Sequence, residues 1–380
     1  MNTDSPLISE TARKRRPALP EIIRIALSAC PEGSDIFFSP GRPVQVSSGS
    51  ALAAIDVPGI SVLSAEDTAG IAVELLGEHT TAAAKLAHEG ACDLSYSVPS
   101  LARLRANIFN QRGSRAIVMR LIPTAIPDIQ TLGLPPQVAD AAKLINGLVL
   151  VTGPTASGKS TTLAALVDRI NQERACHIIT IEDPIEFLHT HKRSTVHQRE
   201  LYSDTPSFAL ALRAALRQAP HVILVGEMRD RETTGIALEA AETGHLVLST
   251  VHTVDASETV ERIVGLFPPE DQATVRTRFA RSFRYIISQR LIPRLDGSGR
   301  VAAVEILRST ARTREYIESG ESQGKTLLDA MRDGNLYGMQ HFDGEIERLI
   351  RSGEIDVRTG LGYATNPGNL ELELADLHQM

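Results

Sequence analysis

An α/β fold on a mostly parallel sheet, preceded by a smaller α+β domain, is what this sequence predicts. Three observations predict it. Largely apolar runs at residues 148–151, 177–181, 222–225 and 245–250 alternate with stretches of helical spacing, the pattern of buried parallel strands covered by helices. The first of these runs leads straight into Gly-Pro-Thr-Ala-Ser-Gly-Lys-Ser-Thr-Thr at 153–162, a glycine-rich turn that opens a helix. The length of 380 residues exceeds what one core usually organises, so two domains with appendages are expected.

The elements follow in order. Residues 1–17 read as a disordered leader ending at Pro17 and carrying the basic cluster Arg13-Lys14-Arg15-Arg16, a solvated tail with an anionic partner as the alternative. Residues 18–122 form the first domain. Within it 21–27 and 65–76 have helical spacing. Residues 35–38 and 44–46 read as strands around the turn Ser39-Pro40-Gly41-Arg42-Pro43, and 92–98, 103–109 and 116–121 as further strands. Prolines at 123, 127, 135 and 136 make 123–137 a semi-rigid linker. The α/β domain covers 138–308, helices cover 309–356, and 357–380 is an acidic tail.

Composition narrows the function. With 42% apolar and 22% charged residues the chain is ordinary globular protein. No window reaches bilayer-spanning length and the start lacks a signal-peptide pattern, so a cytoplasmic location is expected. Cys30, Cys92 and Cys176 are scattered without metal spacing. A net charge of −7 argues against nucleic acid as the main partner.

The turn at 153–162 carries the chemistry. Gly153, Pro154, Thr155, Ala156, Ser157 and Gly158 shape a loop whose backbone N–H groups point at phosphate oxygens. Lys159, Ser160, Thr161 and Thr162 begin a helix that adds its partial positive charge. Lys159 reaches the β/γ-phosphates and Ser160 holds Mg²⁺. Such a site takes a nucleoside triphosphate, ATP being the expected one.

Two later strands end in acids. Residues 222–225 run into Gly226-Glu227, and a carboxylate there faces the crevice where such sheets bind ligands. It can hold the shell of Mg²⁺ or polarise water. Residues 178–181 run into Glu182-Asp183-Pro184-Ile185-Glu186. One carboxylate to orient water and another to manage the metal is what hydrolysis needs, although Glu182 and Asp183 equally suit a helix cap or a solvated rim. His245 and His252 bracket the strand at 246–250. As neutral imidazoles they could sense the γ-phosphate; the bland alternative is a pair of ordinary core or surface histidines.

The whole pattern resembles the type IV pilus retraction ATPases, the PilT and PilU group of the secretion-ATPase superfamily. The resemblance runs from about residue 34 to 353. It rests on the strings 148–162, 177–187, 196–200, 211–217, 222–230 and 240–246 in this order. It implies a PAS-like first domain and a RecA-like P-loop ATPase domain, assembled as a homo-hexamer. It also implies Glu186 as the acid that activates water, Glu227 as the Walker B glutamate near Mg²⁺, and His245 and His252 as the histidine-box pair. Arg103, Arg105 and Arg120 match arginines that approach the nucleotide across a subunit boundary. The implied work is pilus disassembly through an inner-membrane platform protein, with a second pilus motor ATPase as a further partner. A related secretion or DNA-transfer motor, and a nucleotide-binding scaffold without motor activity, are the rival readings. The chain departs from the group's pattern at Asp35-Ile36-Phe37-Phe38, which lacks a histidine, and at Ala156, where glycine is common. Residues 312–317 and the PilU-like 366–372 differ too.

Overall fold

The computed structural model describes residues 16–31, 33–48, 51–123 and 125–375. The expected leader thus lies outside the described residues up to residue 15. Arg16 is described, and its guanidinium pairs with Glu74 at 3.2 Å. The chain divides into two compact units after Pro123.

The first unit contains α1 (Leu19–Ala29), β1 (Asp35–Phe38), β2 (Gln45–Ser48), β3 (Ala51–Ala54), α2 (Ala65–Leu76), α3 (Thr80–Glu89), β4 (Ala91–Val98), β5 (Ala102–Gln111) and β6 (Ser114–Ile122). Its strands form one antiparallel sheet in the order β3-β2-β1-β6-β5-β4. Helix α2 starts where it does because Ser64 and Asp67 form a reciprocal capping box. Its buried Ile71, Ala72 and Leu75 share a core with Leu104, Ala106 and Ile108 of β5. That period-two burial on β5 leaves Arg103 and Arg105 on the other face.

The second unit contains α4 (Pro136–Asp140), β7 (Gly147–Thr152), α5 (Lys159–Glu173), β8 (His177–Glu182), β9 (Thr195–Glu200), α6 (Phe208–Ala215), β10 (Val222–Val225), α7 (Arg231–Glu242) and β11 (Leu246–Val251). It continues with α8 (Ala256–Gly265), α9 (Pro269–Ser282), β12 (Phe283–Pro293), β13 (Arg300–Arg308), α10 (Ala311–Ser319), α11 (Leu327–Arg332), α12 (Phe342–Arg351), α13 (Val357–Tyr363) and α14 (Pro367–Glu373). One sheet runs β13-β12-β7-β11-β10-β8-β9. It is parallel except for β13, which returns antiparallel to β12. Strand β7 is an interior strand, between β12 and β11, and wholly buried. Each of its Leu and Val side chains contributes about 1.5–3 kcal/mol of burial.

Three expectations need correction. Among the described residues the sheet has seven strands, not four. Strand β9 is too polar to show as an apolar run and polar residues interrupt β12, whereas β13 is apolar from Val301 to Leu307 but for Glu305 and is a legible run outside the expected four. Strand β12 carries Arg284, Ser288, Gln289 and Arg290 among its apolar residues. The stretch expected as a linker packs into the second unit, because Ile129 and Leu134 join the apolar cluster of Val138 and Leu166. The expected tail is folded as far as residue 375. Leu370 and Leu374 are fully buried beside Phe342, Ile346 and Leu349 of α12.

Candidate nucleotide site

The parallel strands all end at one rim of the second sheet, and the site lies there. Strand β7 runs into the loop and the loop into α5. Gly153 has φ 143°, and a Cβ there would stand 2.4 Å from the Gln289 carbonyl oxygen and 2.5 Å from Ser157 Oγ. Only glycine lets the loop pass β12. Gly158 caps α5 in the left-handed region at φ 90°. Ala156 also has positive φ, 62°, where a Cβ costs on the order of 1 kcal/mol. The departure from glycine in this loop therefore carries backbone strain.

Lys159 is buried, and its Nζ donates to the carbonyls of Gly153 at 2.9 Å and Pro154 at 2.8 Å. Burial lowers its pKa, while the carboxylates of Glu186 and Glu227 oppose that shift. Both acids thus act electrostatically on the amine. The same cleft, about 480 Å³, is lined by Lys159, Ser160, Glu186, Glu227 and His252. That volume suits a small-molecule ligand.

Glu227 is buried just past β10. It forms an ion pair with Arg229 Nε and lies 3.6 Å from His252 Nε2. The turn carrying it is stitched to its neighbours: Gly226 N donates to Ile181 O at 2.8 Å, and Thr250 Oγ1 to Gly226 O at 2.7 Å. His252 has its pKa lowered, first by burial and then by the Lys159 cation, so it is neutral at pH 7. Glu186 sits exposed in the loop after β8. Glu182, at the end of β8, keeps some exposed surface yet is enclosed by protein, and this desolvation pushes its carboxyl up to about 7.

His245 needs correction. It precedes β11, at the end opposite His252, and six strand residues separate the two by about 20 Å. It does not line the cleft. Its Nδ1 bonds the Ala240 carbonyl at 3.0 Å, closing the last turn of α7. Sensing of a phosphate in this cleft does not fit that position.

The three arginines lie in the first unit. Arg105 and Arg120 are directly opposite across β5 and β6. Arg120 Nε donates to Asp35 Oδ1 at 2.7 Å, although the arginine side chain is 71% exposed. Arg105 lies 3.5 Å from Asp93. Arg103 shares β5 with Arg105.

Sequence reasoning passed over other residues in the cleft and behind it. Arg229 pairs with Glu227, and Arg300, which opens β13, lines the cleft. His189 also lines it, and burial pushes its pKa down to about 4. Gln289 Nε2 donates to Thr162 Oγ1 at 2.9 Å in the interior. Arg229, inside the Gly-Glu-Met-Arg-Asp string, had a usable signal. Arg300 and Gln289 come from strands, and His189 from a loop, whose positions are set only by the folded sheet.

Strand order and phosphate loop together place the second unit among the RecA-like P-loop ATPases, which bind and hydrolyse nucleotide. The comparisons narrow the class. The chain belongs to the Type II/IV secretion system protein family, which matches residues 44–358. It is 46% identical over 277 residues to "Type IV pilus retractation ATPase PilT" of Pseudomonas aeruginosa, covering 73% of this chain and 80% of that one. It is 37% identical over 341 residues to "Type IV pilus ATPase PilU" of the same organism, covering 90% and 87%. The crystal structure of the pilus retraction motor PilT with bound ADP superposes with a TM-score of 0.83 at 42% identity, covering 93% of this chain and 99% of that one. Among the described residues no helix is long and apolar enough to cross a membrane.

Proposed function

We propose that this chain is a Mg²⁺-dependent ATP-driven motor that works as a ring of six copies and powers type IV pilus retraction. The observation that carries the reading is the convergence of Lys159, Glu186 and Glu227 on one cleft. The fold that holds them follows a pilus retraction motor over nearly its whole length. The motor acts at the cytoplasmic face of the inner membrane, on a platform protein of the pilus machinery.

Loop residues 153–158 direct backbone N–H groups at the phosphates, and Lys159 exchanges its two carbonyl partners for phosphate oxygens. Glu186, exposed in the cleft, accepts a proton from the attacking water. The Ser160 hydroxyl and the Glu227 carboxylate are hard oxygen donors. With phosphate oxygens they suit Mg²⁺, which keeps few protein ligands. When bound, that ion neutralises charge on the phosphates. His252, neutral and 3.6 Å from Glu227, is placed to donate a hydrogen bond toward the γ-phosphate. Arg105 and Arg120, neighbours on one sheet, supply positive charge to the nucleotide of an adjacent copy.

The test is genetic and enzymatic together. In the organism that carries the gene, deletion should leave pili extended and abolish surface twitching. The wild-type gene should restore it, and Lys159→Ala should not. The purified protein should hydrolyse ATP with Mg²⁺ and stop in EDTA. Normal retraction in the deletion strain would overturn the reading. A defect appearing only when a second pilus motor is also weakened would indicate an accessory motor, a role to which the PilU match over 90% of the chain points.

A further inference from the structure

The loop that presents Glu186 has no helix or strand of its own between Glu182 and Thr195. It must be held from outside, and the edge strand β9 holds it. Gln198 on that strand uses both ends of its amide. Its Nε2 donates to Glu182 Oε1 at 3.2 Å and to the Phe187 carbonyl at 2.9 Å, and its Oε1 accepts from His189 N at 2.8 Å. Two residues further, on the same face of the strand, Glu200 Oε2 accepts from Ile185 N at 3.1 Å in a buried setting. Leu201 N closes the set on Glu182 O at 2.9 Å.

These contacts straddle Glu186. Ile185 lies before it and Phe187 after it, and each is tied to β9 by a side chain. The polarity at Gln198 is specific. Glu182 and Phe187 offer acceptors, His189 offers a donor, and a side-chain amide is the neutral group that answers both. A hydrocarbon of the same shape answers neither. A carboxylate keeps the His189 bond but faces Glu182 as a like charge.

We propose that Gln198 is a positioning residue for hydrolysis: by tying Glu182, Phe187 and His189 to the edge strand, it fixes the loop that presents Glu186 to the attacking water. This rests on the reading of Glu186 as the group that activates water. Gln198 touches no reacting atom and acts through the loop. Misplacement of a reacting group by about 1 Å can cost about 10²-fold in rate, so loss of the tether should appear in kcat. Nucleotide affinity is set at the phosphate loop, on the far side of β8, β10 and β11, and should change little.

The experiment compares Gln198→Leu, Gln198→Glu and Glu186→Gln with wild type in the full, assembled protein. It measures kcat, KM for ATP, binding of ADP, thermal unfolding and the pH profile of kcat. Gln198→Leu should lose at least about tenfold in kcat with KM and ADP binding within about threefold, the pattern of an interaction made only in the transition state. Gln198→Glu separates positioning from simple packing. The titratable residues bonded to this position are Glu182 and His189, with Glu186 further along the loop and Glu200 two residues on along β9. In acid a shared proton lets it donate to Glu182 again. Its kcat should therefore recover as pH falls from about 8 to 6, a displacement wild type does not show. Wild-type kcat in Gln198→Leu would overturn the proposal. So would a Gln198→Glu profile parallel to wild type, which decides the matter even if the leucine variant fails to fold. A slow Glu186→Gln beside a normal Gln198→Leu would remove this inference alone. A normal rate in Glu186→Gln would remove the reading beneath it and the inference with it.

Discussion

The two rims of the seven-stranded sheet use similar residues to opposite ends. At the rim where the parallel strands finish stand Lys159, Glu186, Glu227 and His252 around an open cleft. At the rim where they begin stand His177, His221 and His245, with His197 two residues into β9, occupied with one another and with main chain. His177 Nε2 lies 2.8 Å from His197 Nδ1, His177 N donates to His221 Nδ1 at 3.1 Å, and His177 Nδ1 meets the Gln218 carbonyl at 3.0 Å. The direction of the covering helices explains the contrast. Helix α5 begins at the first rim, so unsatisfied N–H groups and partial positive charge gather there and favour anions. Helix α7 ends at the second rim, so carbonyls gather there, and His245 satisfies one at Ala240. A histidine's role in this sheet is decided by which rim it reaches.

The comparison breaks most directly at Lys159. Lys159→Ala should lower turnover by at least about 10²-fold while the protein stays folded, because charge stabilisation at the phosphates goes with the amine. A steady-state ATPase assay beside circular dichroism checks it. Near-normal hydrolysis would leave the first rim without its defining group.

The two acids come next. Glu186→Gln should bind ATP and hydrolyse it about 10²–10⁴-fold more slowly, since an amide cannot accept the water proton. Glu227→Gln should in addition shift the Mg²⁺ concentration needed for half-maximal rate. Titration of rate against Mg²⁺ for both variants separates the roles, and the assignments are reversed if only Glu186→Gln moves that midpoint.

The histidines sharpen the contrast. His252→Ala should reduce kcat by about tenfold, the worth of one hydrogen bond in the transition state. His245→Ala should leave kcat within about twofold and instead lower stability by about 1 kcal/mol. Equal loss of turnover in two well-folded variants would show that the second rim takes part in catalysis.

The smallest effect concerns Glu305, which lies behind the first rim on β13. It accepts from Ala256 N at 2.9 Å and from Ser288 Oγ at 3.2 Å, and burial pushes its carboxyl up to about 7. An unfolded glutamate titrates near ~4.3. The folded state therefore holds the proton more tightly, and its share of stability is present below that value and lost as pH rises through about 7. Between roughly pH 5 and 7 the loss reaches at most about 1.4 kcal/mol per unit. Glu305→Gln keeps an acceptor oxygen and removes the titration. Denaturant midpoints at pH 5.5 and 7.5 should fall less in the variant than in wild type. Glu182 contributes in the same direction in both proteins.

Much of this was legible in the sequence. The apolar runs marked β7, β8, β10 and β11, the loop at 153–158 announced the phosphate site, and the helix over 65–76 matches α2 residue for residue. Strands β9 and β12 were not legible, because their polar residues are supportive: Gln198 braces the acid loop and Gln289 braces α5. The apolar run of β13 was there to read. Residues 123–137 read as a linker because four prolines mark them, while two apolar residues, Ile129 and Leu134, decide where the stretch packs.

The sequence by itself determined that a phosphate loop follows a buried strand, and that acids end two others. Local rules suffice for that, since glycine conformation, apolar patterning and helix-start chemistry act over a few residues. Tertiary structure alone decided which of those groups meet. Whether a side chain at a strand end reaches the cleft depends on strand order and direction, which are set by contacts far apart in the chain. His245 and His252, seven residues apart in sequence, fall on opposite rims for that reason. Gln198 and Glu182, sixteen apart, are in hydrogen-bond contact because β8 and β9 run parallel at the sheet's edge.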